Sequence, residues 1–188
     1  MHNLSPITAM GGSEPRVDVI GSLTISENPS VALASVSAIS GKEKACANVL
    51  AKILEAPAPG PGRSQQHDPE AGFWIGPGQW MIGAPFATHE DLADQLKAKL
   101  KDTASVTEQT DAWVVFDLQG DKMEDACELL CNLPIRTMVA GDATRTTIHQ
   151  MGCFVIRRNT VNHIRVMGPR SSAESLHHAL ITAAHSIA

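Results

Sequence analysis

Tyrosine is absent from this chain of 188 residues, which carries only four Phe and three Trp. Basic runs are missing as well: the net charge is −5 and nothing longer than Arg157-Arg158 gathers positive charge. Nucleic acid and anionic membrane are excluded as partners, since both are held by clustered Lys and Arg. No apolar run approaches the roughly 18 residues of a membrane span. The first eighteen residues, "MHNLSPITAMGGSEPRVD", lack a positive segment followed by an apolar one, so no secretory signal is read there and a cytoplasmic location is expected.

Reactive motifs are scarce too. Cys46, Cys127, Cys131 and Cys153 form no Cys-x-x-Cys pair. Cys127 and Cys131 stand one helical turn apart, on the face of Met123 and Leu130, and read as buried, reduced core thiols rather than metal ligands. No G-x-S-x-G surrounds a serine, Gly76, Gly78 and Gly83 miss the G-x-G-x-x-G spacing, and no G-x-x-x-x-G-K is present. Catalytic, cofactor-binding and metal-binding residues are therefore expected to be absent.

The chain does hold a globular composition, 43% hydrophobic and 19% charged, enough for a real core. Residues 1–15 have little periodicity and predict a flexible arm. "RVDVIG" and "LTIS" read as strand pieces, and "ALASVSAI" (32–39) as a buried strand. A helix over 42–55 places Ala45, Val49, Leu50, Ile53 and Leu54 on its apolar face. A Pro/Gly-rich loop, "APAPGPGRSQQHDPEAG", leads to a hairpin over 73–84 and a helix capped by Thr88 and Asp91. The same order then returns. "DAWVVFDL" is a strand, "DKMEDACELLCNL" a helix, and "TTIHQMGCFVIRRNTVNHIRVMGP" reads as strand, turn, strand. Ser171 and Glu174 predict the box that opens a last helix.

Short matches recur in the same order in both halves. Ile39-Ser40-Gly41 answers Leu118-Gln119-Gly120, "FWI" at 73–75 answers "FVI" at 154–156, and Ile82-Gly83-Ala84-Pro85 answers Val166-Met167-Gly168-Pro169. The expectation is an α+β fold of two duplicated β-α-β-β-α halves, ferredoxin-like, over 16–103 and 104–188, forming one pseudo-symmetric domain. Phe73, Trp74 and Trp80 flank Gly76-Pro77-Gly78 and are either a stacking platform or aromatics of a hairpin or interface. Their place inside a repeat favours the second. Asp117 interrupts an apolar strand and is read as facing solvent on a one-sided sheet. His177, His178 and His185 are read as the wet side of the last helix, and His149 and His163 as structural residues on strands.

Four stretches together resemble the gamma subunit of heterotetrameric sarcosine oxidase. They are "FWIGPGQWMIGAP" (73–85), "VTEQTDAWVVFDLQG" (106–120), "GDATRTTIHQMGCFVIRR" (141–158) and "PRSSAESLHHALITAA" (169–184). The chain departs from that pattern at Gly78-Gln79, where two acids are usual, and at Leu133-Pro134-Ile135-Arg136-Thr137, where Cys-Pro-Ile/Leu-Asp-Leu is common. The resemblance implies the folding pattern of the folate-binding domain of glycine-cleavage aminomethyltransferase. It implies a subunit without cofactor or catalytic residue of its own, docked with alpha, beta and delta subunits. In such a complex sarcosine is oxidatively demethylated to glycine, oxygen becomes hydrogen peroxide, and tetrahydrofolate takes the one-carbon unit. FAD, FMN, NAD and tetrahydrofolate are then expected on the other subunits. The alternative is a free-standing folate-binding or aminomethyltransferase-like module, against which stand the few rings available to stack a pterin and an end at Ala188 that leaves no room for an extra C-terminal domain.

Overall fold

A computed structural model describes residues 6–67 and 69–188. The described residues form eleven strands and four α-helices. In chain order these are β1 (Val17–Ile20), β2 (Leu23–Glu27), β3 (Val31–Ala38), α1 (Glu43–Ile53), β4 (Ser64–Gln66), β5 (Ala71–Gly76), β6 (Gln79–Pro85) and α2 (Leu92–Leu100). They continue with β7 (Ala104–Glu108), β8 (Trp113–Gln119), α3 (Met123–Leu130), β9 (Ala143–Ile148), β10 (Met151–Arg157), β11 (His163–Pro169) and α4 (Ala173–Ile187). The class is α+β, with two antiparallel sheets.

The chain divides into two compact units. One comprises Ser30–Thr110 with Gly141–Thr144 and holds a sheet ordered β4-β5-β6-β3-β7. Strand alternation sends Ala32, Ala34, Val36 and Ile82 to one face, where they meet Cys46 and Leu50 of α1 and Leu92, Leu96 and Leu100 of α2. Small residues on β3 leave room for the leucines of the helices that pack against them. Leu50, Leu54 and Ile82 are fully buried, each stabilising by about 1.5–3 kcal/mol relative to exposure.

The other unit takes the described residues up to Pro29, Asp111–Ala140 and Arg145–Ala188. Its sheet runs β1-β2-β8-β11-β10-β9. Leu23, Ile25, Val114, Phe116, Leu118, Val155, Ile164 and Val166 face α3 and α4, whose stripes are Met123, Ala126, Cys127 and Leu130, and Leu176, Leu180 and Ala183. Gly120 ends β8 with φ +134; a Cβ there would stand 1.9 Å from the Ser22 carbonyl oxygen, so only glycine fits.

Both units run strand, helix, three strands, helix: β3-α1-β4-β5-β6-α2 and β8-α3-β9-β10-β11-α4. Each run therefore has one strand more than the sequence predicts, and β7, in a stretch assigned to the second half and not read as a strand, adds a further edge strand to the five-stranded sheet. β4 is a three-residue polar strand inside the expected Pro/Gly-rich loop; having no apolar alternation, it is recognisable only by its pairing with β5. β9 and β10 are separated by His149 and Gln150 at φ +45 and +66, a tight turn without the Asn or Gly that would announce it. The match of Ile39-Ser40-Gly41 with Leu118-Gln119-Gly120 is out by one residue. An offset of 79 reverses the faces of β3 and β8, whereas the helix N-caps, Lys42 and Lys122, stand 80 apart and keep them.

Other expectations shift. β1 and β2, placed with the first half, pair with each other and with β8 in the six-stranded sheet. Of the predicted arm, residues 1–5 lie outside the described residues, and the rest is held rather than free. Thr8 is buried, Met10 N–H donates to Glu27 Oε1 (3.0 Å), and Arg16 N–H donates to Glu27 Oε2 (3.1 Å). Cys46, not Ala45, faces the core from α1. The capping boxes are absent: Pro85 and Pro169, at φ −60 and −59, each start a 3-10 turn, so α2 and α4 begin later than predicted and no side chain caps them. No helix among the described residues is long and apolar enough to cross a membrane.

Candidate functional site

β5 and β6 make the hairpin that carries the aromatic cluster. Pro77 fixes φ near −65° and Gly78 takes φ +66, the pattern of a type II turn. Gly76 and Gln79 pair at its ends, Trp74 pairs with Trp80, and a register shift lies between Trp74 and Gly76. Trp80 is buried among the helix-facing residues, and its Nε1–H donates to the Pro59 carbonyl at 2.8 Å. That bond ties the Pro/Gly-rich segment to the sheet. Trp74 is half-buried against the same core. Phe73 points to the opposite face, opposite Met81, and is also buried. The three rings are thus divided between two faces of the sheet.

Asp117 is only 6% exposed, contrary to its reading as a solvent-facing residue. It pairs across the ladder with Arg165, whose Nε and Nη2 donate to Oδ1 and Oδ2, both at 2.8 Å. His163 Nε2 lies 2.9 Å from Oδ1, and Asn28 Nδ2 donates to Oδ2 at 2.8 Å. Gln119 Nε2 stands 3.3 Å from His163 Nδ1, which fits His163 donating from Nε2 to the carboxylate. Burial alone raises the Asp117 pKa. The hydrogen bonds from His163 and Arg165, the guanidinium charge and Asn28 outweigh it and hold the carboxyl well below the usual range. Such a carboxylate is fully occupied as an acceptor and is no general base near neutrality.

His177 departs from its expected wet position. It is buried, its Nε2 lies 2.8 Å from Asp18 Oδ2, and its ring stands 5.8 Å from that of Phe116. His178 and His185 are exposed, and His149 sits in a turn rather than on a strand. All four cysteines are free, and all but the half-buried Cys131 are buried. Burial pushes the Cys127 thiol up to about 12 and that of Cys153 to about 11, so both are protonated at neutral pH. Among the described residues no group of three His, Cys, Asp or Glu side chains is arranged to hold a metal ion.

No family model matches the chain, and no curated protein matches it. Solved structures do. A chain of the heterotetrameric sarcosine oxidase from Corynebacterium sp. U-96, in complex with pyrrole 2-carboxylate, superimposes with a TM-score of 0.74 at 20% identity. The likeness covers 91% of this chain and 88% of that one. The glycine cleavage system aminomethyltransferase T from Bartonella henselae matches with a TM-score of 0.59 at 13% identity, over 82% of this chain and 44% of its own. This chain shares their fold.

On that shared fold the sequence signals are uneven. The third tryptophan, Trp113, stands alone in the sequence, with no adjacent aromatic to mark it. In space its ring lies 5.3 Å from Phe154 at a tilt of 53°. Arg165 and Asn28 were missed as partners of Asp117. The strand alternation offered one signal, since His163 and Arg165 share a face of β11 just as Asp117 and Gln119 share a face of β8.

Proposed function

We propose that this protein is a non-catalytic gamma subunit of a heterotetrameric sarcosine oxidase, acting in the cytoplasm with alpha, beta and delta subunits. On this reading the larger subunits demethylate sarcosine oxidatively to glycine, with formation of hydrogen peroxide and methylenetetrahydrofolate, and hold FAD, FMN, NAD and tetrahydrofolate. The chain contributes buried surface and a fixed geometry. One observation carries the reading: the likeness to a chain of a heterotetrameric sarcosine oxidase runs nearly end to end on both sides, 91% and 88%, whereas it spans under half of the aminomethyltransferase.

The side chains agree. The two most buried carboxylates among the described residues are already engaged, Asp117 with Arg165, His163 and Asn28, and Glu27 with two backbone N–H groups. Asp117, with two hydrogen bonds on each oxygen, has no acceptor site left to grip a pterin, and Glu27 is engaged in tying down the N-terminal segment. We further propose that the two units descend from one duplicated β-α-β-β-α element, enlarged by a strand in each. Their common element order and the paired Pro85 and Pro169 turns support it.

Co-expressing the tagged chain with the alpha, beta and delta subunits of its source tests the assignment. The expected outcome is a single complex on size exclusion with sarcosine-dependent peroxide release; a chain that elutes alone, leaving an active enzyme behind, sinks it. The likeness to the aminomethyltransferase favours a second reading, a folate-binding module. Titration with tetrahydrofolate, followed by tryptophan fluorescence, distinguishes the two, since saturable quenching supports the module and counts against the scaffold.

A further inference from the structure

We propose that Arg145 is an anchor by which this protein grips an Asp or Glu side chain of a larger partner subunit, an inference that rests on the subunit reading above. Arg145 is exposed on β9, the edge strand of its sheet. Its guanidinium carbon stands 5.9 Å from the centroid of the buried Phe154 ring, which in turn lies against Trp113. The cation thus lies over the Phe154 ring instead of extending freely into water.

The charge economy of the unit singles this residue out. Arg157, Arg165 and Arg170 each reach a carboxylate, as do Arg16, Lys122 and Arg136. Arg158 makes contacts of its own. Arg145 has no carboxylate partner among the described residues, in a chain whose net charge is −5. A planar fork already held on a ring loses little conformational freedom on engaging a carboxylate by two parallel hydrogen bonds. The ring beneath it strengthens as water leaves. Arginine is also among the residues that concentrate binding energy at protein interfaces.

The test uses the full chain and the co-expressed alpha, beta and delta subunits, with affinity measured at low and high salt. Arg145→Ala is expected to weaken association about tenfold or more, and Arg145→Glu about a hundredfold, because reversal adds repulsion to the loss. Arg145→Lys should recover part of the affinity, keeping the charge without the fork. The salt dependence of Arg145→Ala should be shallower than that of the unaltered chain. As the side chain is exposed, all three variants should melt with the unaltered chain; Arg145→Gln, which keeps the length and some donors, replaces any that does not. An Arg145→Glu chain that binds as tightly as the unaltered one overturns the anchor and leaves the subunit reading standing. An unaltered chain that binds none of the larger subunits overturns both. Should Arg145→Ala bind normally but self-associate, the residue merely guards a strand edge and the anchor fails.

Discussion

The faces of the two sheets that lie away from the helices are built on different principles. In the five-stranded sheet, Leu33, Ser35, Ser37, Phe73 and Met81 occupy that face, and none is charged. In the six-stranded sheet the equivalent face carries Asp117, Arg165 and His163. Element order and helix-facing cores are alike, so the burial of apolar area does not distinguish the units. A buried charge does, because it is tolerated only when every partner is present. One unit can lose a side chain from this face and repack; the other holds an all-or-nothing cluster.

Substitution at Asp117 should break this contrast most forcefully. Asp117→Ala leaves the half-buried Arg165 uncompensated and removes the acceptor of the buried His163, and is expected to cost about 3–5 kcal/mol, read from urea denaturation. Ser37→Ala, on the corresponding face of the other sheet, should stay within about 0.5 kcal/mol. Equal effects would erase the distinction. The same carboxylate sets a pH signature. Its folded pKa lies below its unfolded value of about 3.9. The stabilisation is therefore fully present above that value and is lost as pH falls toward the folded pKa. Acid unfolding of the unaltered chain should be steeper below about pH 4 than that of Asp117→Asn. Parallel acid limbs would show that the carboxylate is not differentially stabilised.

Trp80→Phe sharpens the comparison from the other unit. It removes the indole donor to Pro59 and part of a buried ring, for an expected loss of about 1–2 kcal/mol. Proteolysis of the 57–63 segment should accelerate at the same time; an unchanged cleavage rate would mean the bond does not hold the loop. The smallest effect is a gain. Lys101 ends α2 at φ +51 and ψ −122, a conformation costly for any residue with a Cβ. Lys101→Gly should raise stability by about 0.5–1 kcal/mol, measured as a higher urea midpoint, and a lower midpoint would contradict the assigned strain.

Helices were legible because their signal is local. Met123, Ala126, Cys127 and Leu130 recur with helical spacing and all four are buried. The hairpin of Trp74 and Trp80 was legible for the same reason, since Gly76-Pro77-Gly78 forces a turn whatever surrounds it. Asp117 and His177 were misplaced because strand alternation and helical phase say which face a residue takes, and not whether that face is covered. β4 and the separation of β9 from β10 escaped because neither carries an apolar rhythm or a turn dipeptide.

The sequence by itself determined the class, the helix stripes and the aromatic turn, because these depend on neighbours within a few residues along the chain. Tertiary structure alone decided which charges are buried, joining Asn28, Asp117, His163 and Arg165 from positions up to 137 residues apart. It alone seated Arg145 on the ring of Phe154. The physical reason is range: propensity and periodicity act over one or two turns, whereas desolvation and charge pairing depend on what strand pairing brings together in space.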